Sequence, residues 1–151
     1  MDEQLAGIEP TQPWYPVSVK LRADWRLAAA QHSGDPNLGQ EALRILDDAL
    51  AFYWNFDLYV QRAASAFIAG MPDEFLESTS WAAQLVRAKI ENAQRGRYRF
   101  AANEYRTTSQ RLNGLAREVE RSVGQATDLR AADVLRYLNE TRQLLEEVAT
   151  R

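Results

Sequence analysis

YRFAANEYRTTSQRLNGLAREVERSVGQA, residues 98–126, carries the pattern on which the fold turns: Tyr98, Ala101, Tyr105, Thr108, Leu112, Leu115, Val119, Ser122 and Ala126 recur at alternating steps of three and four. That spacing lays small and apolar side chains along one stripe of an α-helix, as in the seam of a bundle or coiled coil. The same alternation returns downstream at Ala131, Val134, Leu138, Thr141, Leu145 and Val148, with Asp128 placed to cap the helix. Arg136 and Glu140, and Arg142 and Glu146, form opposite-charge pairs four apart on its outer face, where they mark solvent. Upstream, Leu76, Ala83, Val86, Ile90 and Ala93 form a stripe that falls out of phase near Gly96, so a bend or short break is expected there. This upstream helix starts at Pro72, a first-turn residue, with Asp73, Glu74 and Glu77 complementing the positive end of its dipole.

Toward the N-terminus, residues 40–69 run without Gly or Pro until Gly70-Met71-Pro72, which predicts one helix of up to thirty residues with Asn37 as its cap. Its stretch Phe52, Tyr53, Trp54, Phe56, Leu58, Tyr59 and Val60 is apolar on nearly all sides, so it is expected to be central or to face another subunit. A shorter helix over residues 17–31 carries Val17, Leu21, Trp25 and Ala28 on one side and stops at Ser33-Gly34-Asp35-Pro36. Pro10, Pro13 and Pro16 predict an extended segment before it, with Trp14 and Tyr15 as anchors. No stretch alternates with period two, so no strand is expected. The fold class read from these patterns is all-α: an antiparallel bundle of four or five helices, two of them long, forming one domain over residues 17–151 behind an extended proline-rich arm at residues 1–16.

Composition narrows the chemistry. The chain has 151 residues, 46% hydrophobic, with 7 Gly and 5 Pro, enough core material for one globular domain. It has no cysteine, which excludes disulfides, thiolate metal sites and thiol nucleophiles, and its single histidine excludes His-pair sites within one subunit. The acidic N-terminus lacks the basic flank and apolar run of a secretory signal, and the longest run from the hydrophobic set, Ala49 to Trp54, is far too short to span a bilayer. A cytoplasmic protein with no membrane partner is the expectation.

Charge is distributed unevenly. The net charge is -3, but residues 1–80 carry -7 while residues 81–111 carry +5. In that cationic stretch Arg95, Arg97, Arg99, Arg106 and Arg111 interleave with Tyr98, Phe100 and Tyr105. Guanidinium groups bind phosphates and aromatic rings stack on unpaired bases, so the segment reads as a nucleic-acid surface of a ribonucleoprotein subunit. An acidic protein partner, or neutralisation by acids within the bundle or across subunits, explains the same charges.

Arg26 and His32 enclose Leu-Ala-Ala-Ala-Gln on the first predicted helix. This spacing resembles the Arg-x(4-6)-His motif of HEPN domains over seven residues, with Leu27 where that family usually has a polar residue. The resemblance implies a dimeric, metal-independent ribonuclease in which Arg26 stabilises the charge on the scissile phosphate and His32 transfers the proton. The alternative is that His32 interacts with the carbonyls at the end of its helix. Glu41, Asp47, Asp48 and Asp57 are the nearest material for a carboxylate metal site, but no Glu-x-x-His pair accompanies them, and a structural ion pair is the preferred fate of Asp57 if it is buried. The ring cluster with Trp14, Trp25 and Trp81 is expected to pack in the core; nothing polar converges in sequence to orient a small-molecule substrate, and no cofactor motif is present. The leading expectation is therefore a non-enzymatic adaptor or small subunit of a larger assembly. It would self-associate or bind protein through Trp14, Tyr15, Phe52, Trp54, Phe56 and Tyr59.

Overall fold

A computed structural model describes residues 2–125 and 129–150. Among these the chain is all-helical, with seven helices and no strand: α1 (Asp2–Ala6), α2 (Tyr15–Ser33), α3 (Pro36–Leu50), α4 (Phe56–Ile68), α5 (Pro72–Gln94), α6 (Ala102–Gln125) and α7 (Leu129–Ala149). The all-α class agrees with the periodicity; the helix count differs from the four or five expected. Ala126 of the seam and the expected cap Asp128 lie outside the described residues. The chain divides into two compact units, with the boundary between Ser78 and Thr79, inside α5, whereas the sequence reading draws its one boundary at residue 16.

In the first unit α2, α3 and α4 pack on one another, and α1 lies on α2. The extended arm expected before residue 17 is absent: residues 2–6 are helical, residues 10–14 form turns and α2 begins at Tyr15. Proline holds φ near the value shared by extended polyproline, by turns and by a first helical turn, so the spacing of three prolines does not choose among them. Local hydrogen bonds choose, with the Gln12 N–H donating to Glu9 O at 2.9 Å and the Tyr15 N–H to Gln12 O at 3.0 Å.

The single thirty-residue helix is also corrected, because it is broken at residues 51–55 into α3 and α4. Asn55 supplies the break. Its backbone is extended (φ -131°, ψ 129°) and its side-chain oxygen accepts from the Asp57 N–H and the Leu58 N–H, an N-cap in the middle of the apolar run. The cap of α3 is Asp35 instead of Asn37: the Asp35 carboxylate accepts from the Asn37 N–H at 2.9 Å, with Pro36 in the first turn.

The core of this unit gathers Tyr15, Val19, Ala23, Leu46, Ala49 and Leu58. Here the face of α2 is the reverse of the one expected. Val19, Ala23, Leu27 and Ala30 are buried, while Val17, Leu21 and Trp25 are about half exposed or more. The alanines of the inward face let α3 approach closely, so the smaller of two apolar stripes became the core. Arg62 ties the unit's helices together, donating to Asp47 at 2.6 Å and to Ser78 Oγ at 2.7 Å. Asp2 clasps α1 to α2: the Arg26 guanidinium, donating to both carboxylate oxygens, and Arg22 hold the Asp2 carboxyl down at about 2.

In the second unit α6 packs on α7, burying Thr108, Leu112, Leu115, Val119, Ala131, Leu138, Thr141 and Leu145 as the alternating spacing requires. Arg87 joins α5 to α7 and Lys89 joins α5 to α6. The break expected near Gly96 is present. Gly96 has φ +74°, and the Gly96 N–H donates to Ala93 O and the Arg97 N–H to Asn92 O, a glycine-dependent closure of the helix end. Gly114, by contrast, sits within α6 without interrupting it.

Candidate functional site

The loop that follows this closure, residues 95–101, presents the cationic stretch. Arg95, Arg97 and Arg99 are exposed, and none of the three makes an ion pair among the described residues. Among the described residues, then, no acid neutralises these three, although neutralisation within the chain is one of the readings the charge sums allowed. Arg106 is exposed on α6 and donates to Asn103 Oδ1 at 3.1 Å, and Arg111 is half-buried with contacts of its own.

Between the arginines, Tyr98 and Phe100 meet edge to face at 5.2 Å between ring centres. The Tyr98 hydroxyl donates to Glu104, and Lys89 Nζ binds the same carboxylate at 2.9 Å while lying 5.5 Å over the Tyr98 ring. The hydrogen bond to Glu104, then burial, raises the Tyr98 pKa above its ordinary value. Burial pushes Glu104 up, but the bonds from Tyr98 and Lys89 outweigh it and hold the carboxyl below its usual range. Burial lowers Lys89, and the Glu104 carboxylate more than restores it. All three groups thus keep their neutral-pH charge states, and the triad works as a brace for the loop. Beside it an open cavity of about 590 Å³ is lined by Tyr98, Arg99, Phe100 and Tyr105 together with Val148 and Ala149. Cations, ring faces and a recess share one end of the second unit.

The first unit carries a different surface. Tyr15 and Tyr53 pack with ring centres 5.8 Å apart and planes tilted by 36°, and the Tyr53 hydroxyl donates to Pro10 O. Their chain neighbours point outward: Trp14 is 69% exposed, Phe52 66% and Trp54 74%. The expectation that these rings fill the core is corrected. Segment 51–55 leaves the helix and turns Phe52 and Trp54 to solvent while Tyr53 packs inward, and Trp14 precedes the helix that buries Tyr15. Of the six interface candidates, Trp14, Phe52 and Trp54 are exposed, Phe56 is half-buried, and Tyr15 and Tyr59 belong to the core. Phe67 is 47% exposed and Trp81 36%.

Arg26 and His32 do not converge. Six positions on a helix turn side chains about 120° apart. Arg26 is half-buried and already held by Asp2 at 2.9 Å and by Glu41 at 3.3 Å, whereas His32 is exposed in the last turn of α2. A guanidinium between two carboxylates has little left for a phosphate, so this placement lends no support to the nuclease resemblance. Among the acids considered for metal, Glu41 pairs with Arg26, Asp47 with Arg62, Asp48 is exposed, and Asp57 sits half-buried in the first turn of α4. No helix among the described residues is long and apolar enough to cross a membrane.

Comparison with protein-family models, with curated proteins and with solved structures returns no match. The functional reading therefore rests on the geometry of this chain.

Proposed function

We propose that the chain is a non-enzymatic helical subunit of a larger assembly and works through protein contacts of its first unit. One observation carries this reading: Trp14, Trp25, Phe52 and Trp54 each keep more than half of their surface in water. A small monomer gains more from burying such rings than from displaying four of them, and exposed aromatics are the commonest anchors of protein interfaces. Cross-linking in the source cells followed by purification of the tagged chain tests it. Replacing Phe52 and Trp54 together by serine is expected to remove the cross-linked partner with the circular dichroism unchanged, since neither side chain is buried. An unaltered set of partners would refute the assignment of that loop.

A second reading, binding of single-stranded nucleic acid by residues 95–100, is favoured by three exposed arginines around Tyr98 and Phe100 that pair with no acid among the described residues. Binding to a single-stranded RNA oligonucleotide should weaken steeply with salt. Changing Arg95, Arg97 and Arg99 to alanine should cost at least about tenfold in affinity and flatten the salt slope by about 2, three phosphate contacts at roughly 0.7 each. No binding at about 50 mM salt would dispose of this reading.

A further inference from the structure

The outward face of α2 is an ordered stripe. Trp14, Val17, Leu21, Trp25 and Ala28 follow at steps of three or four and fall within an arc of about 80°, opposite the buried arc of Val19, Ala23 and Ala30. Trp14 is 69% exposed, Val17 49%, Leu21 50% and Trp25 59%. The helix is thus apolar on two opposite sides, and only one of them is covered.

We infer that this stripe is the seam of a homodimer in which α2 of one copy packs antiparallel against α2 of a second copy, with the twofold axis at Leu21. The inference rests on reading the first unit's apolar surface as an interface, and adds the occupant and the register. The order of side-chain sizes is self-complementary about that axis. Leu21 meets its own counterpart, Val17 faces the second copy's Trp25, and Trp14 faces the second copy's Ala28. Each indole is set against a small side chain, as interdigitation across a close helix pair needs. A twofold interface demands this reciprocity, since residue i meets j wherever j meets i.

Charge follows the same symmetry. Lys20 and Asp24 share one flank of the stripe, and in an antiparallel pair like flanks meet. Each Lys20 then lies between the other copy's Asp24 and Lys20, about 3 Å along the helix axis from each, in a row of four with an Asp24 at both ends. Lys20 has no ion pair among the described residues, and Asp24 accepts from the Gln61 amide, which leaves its second oxygen for the ammonium. The two indoles, the valine and the leucine leave on the order of 500 Å² per copy in water, about 1,000 Å² for the pair, which meets the lower threshold for a specific interface. A lipid surface is a poorer occupant, because a flank of one lysine and one aspartate has no net cationic charge to hold anionic headgroups.

Sedimentation velocity of the full chain at about 50 µM tests the pairing. The expected result is a dimer whose dissociation constant rises at least about 100-fold in Leu21→Glu, which places two carboxylates on the axis, with the circular dichroism unchanged because Leu21 is half exposed. Register is read by disulfide formation, since the chain has no cysteine of its own. Leu21→Cys should oxidise to a covalent dimer under mild conditions, while Ala28→Cys should not, its thiols lying about 20 Å apart along the antiparallel pair. A monomer at this concentration, a Leu21→Glu dimer as tight as the parent, or Ala28→Cys oxidising as fast as Leu21→Cys would each overturn the inference. None of these would decide the role of Phe52 and Trp54, which the partner experiment measures separately.

Discussion

Gly39→Val is expected to lower the melting temperature by more than about 10 °C. Gly39 lies on the buried face of α3 where that helix crosses α4. A Cβ added there would stand 3.0 Å from Ser65 O, 3.0 Å from Ala69 N and 3.3 Å from Ala69 Cβ. Two of these neighbours are backbone atoms and cannot swing aside, so α3 must move as a body away from Ser65 and Ala69. Overpacking of this kind costs about 1–3 kcal/mol, and more when branched bulk meets backbone. About 3 kcal/mol corresponds to a shift of at least 12 °C for a unit of this size, at roughly 4–8 °C per kcal/mol. Gly39→Ala should fall between, because alanine recovers about 1 kcal/mol of helix propensity while still requiring a small displacement. Thermal denaturation followed by circular dichroism checks both variants. A valine variant that melts with the parent would mean that α3 and α4 do not approach so closely.

Arg87→Ala should destabilise the second unit by about 3 kcal/mol. Arg87 donates from Nε to Thr141 Oγ1 at 2.8 Å and from Nη2 to Tyr137 O at 3.2 Å, and its guanidinium carbon lies 3.8 Å above the Tyr137 ring. Thr141 is fully buried and its hydroxyl donates to Tyr137 O at 2.7 Å, so removing Arg87 strips partners from groups that water does not replace. The pair with Glu140 adds little, because that carboxylate is 57% exposed. Arg87→Lys separates geometry from charge. An ammonium cannot reach Thr141 and Tyr137 O while lying flat on a ring, so lysine should regain less than half of the loss. Denaturant unfolding measures the series, and full recovery by lysine would show that charge alone matters.

The parts of the fold visible in sequence are those in which one local signal decides. Residues 105–122 and 131–148 have a single apolar stripe each, and the structure buries most of it, from Thr108 to Val119 and at Ala131, Leu138, Thr141 and Leu145. Pro72 starts α5 and Gly96 closes it because each supplies a backbone conformation that few other residues offer. The thirty-residue helix failed for an equally local reason: Asn55 followed by Asp57 is an N-cap signal, but the surrounding rings made the run look continuous. Gly39 carried no legible signal, since a glycine near a helix start is read as a loop residue until the crossing with Ser65 and Ala69 is known.

The candidate site divides in the same way. That residues 95–99 concentrate positive charge among rings is visible from composition; that Arg95, Arg97 and Arg99 have no acidic partner among the described residues while Lys89 has Glu104 depends on where α5 and α6 place their side chains. Arg26 likewise looked free for catalysis until α1 and α3 brought Asp2 and Glu41 to it.

By itself, then, the amino-acid order determined the helical class, the two clean stripes of α6 and α7, and the chemistry ruled out by the lack of cysteine. Tertiary structure decided which of the two apolar sides of α2 became the core. Val19, Ala23 and Ala30 and their opposite, Val17, Leu21 and Trp25, satisfy helical periodicity equally, and only the close approach permitted by alanines to α3 broke the tie and left the larger side chains facing outward. Periodicity is a property of one helix, whereas burial is a property of two surfaces that fit.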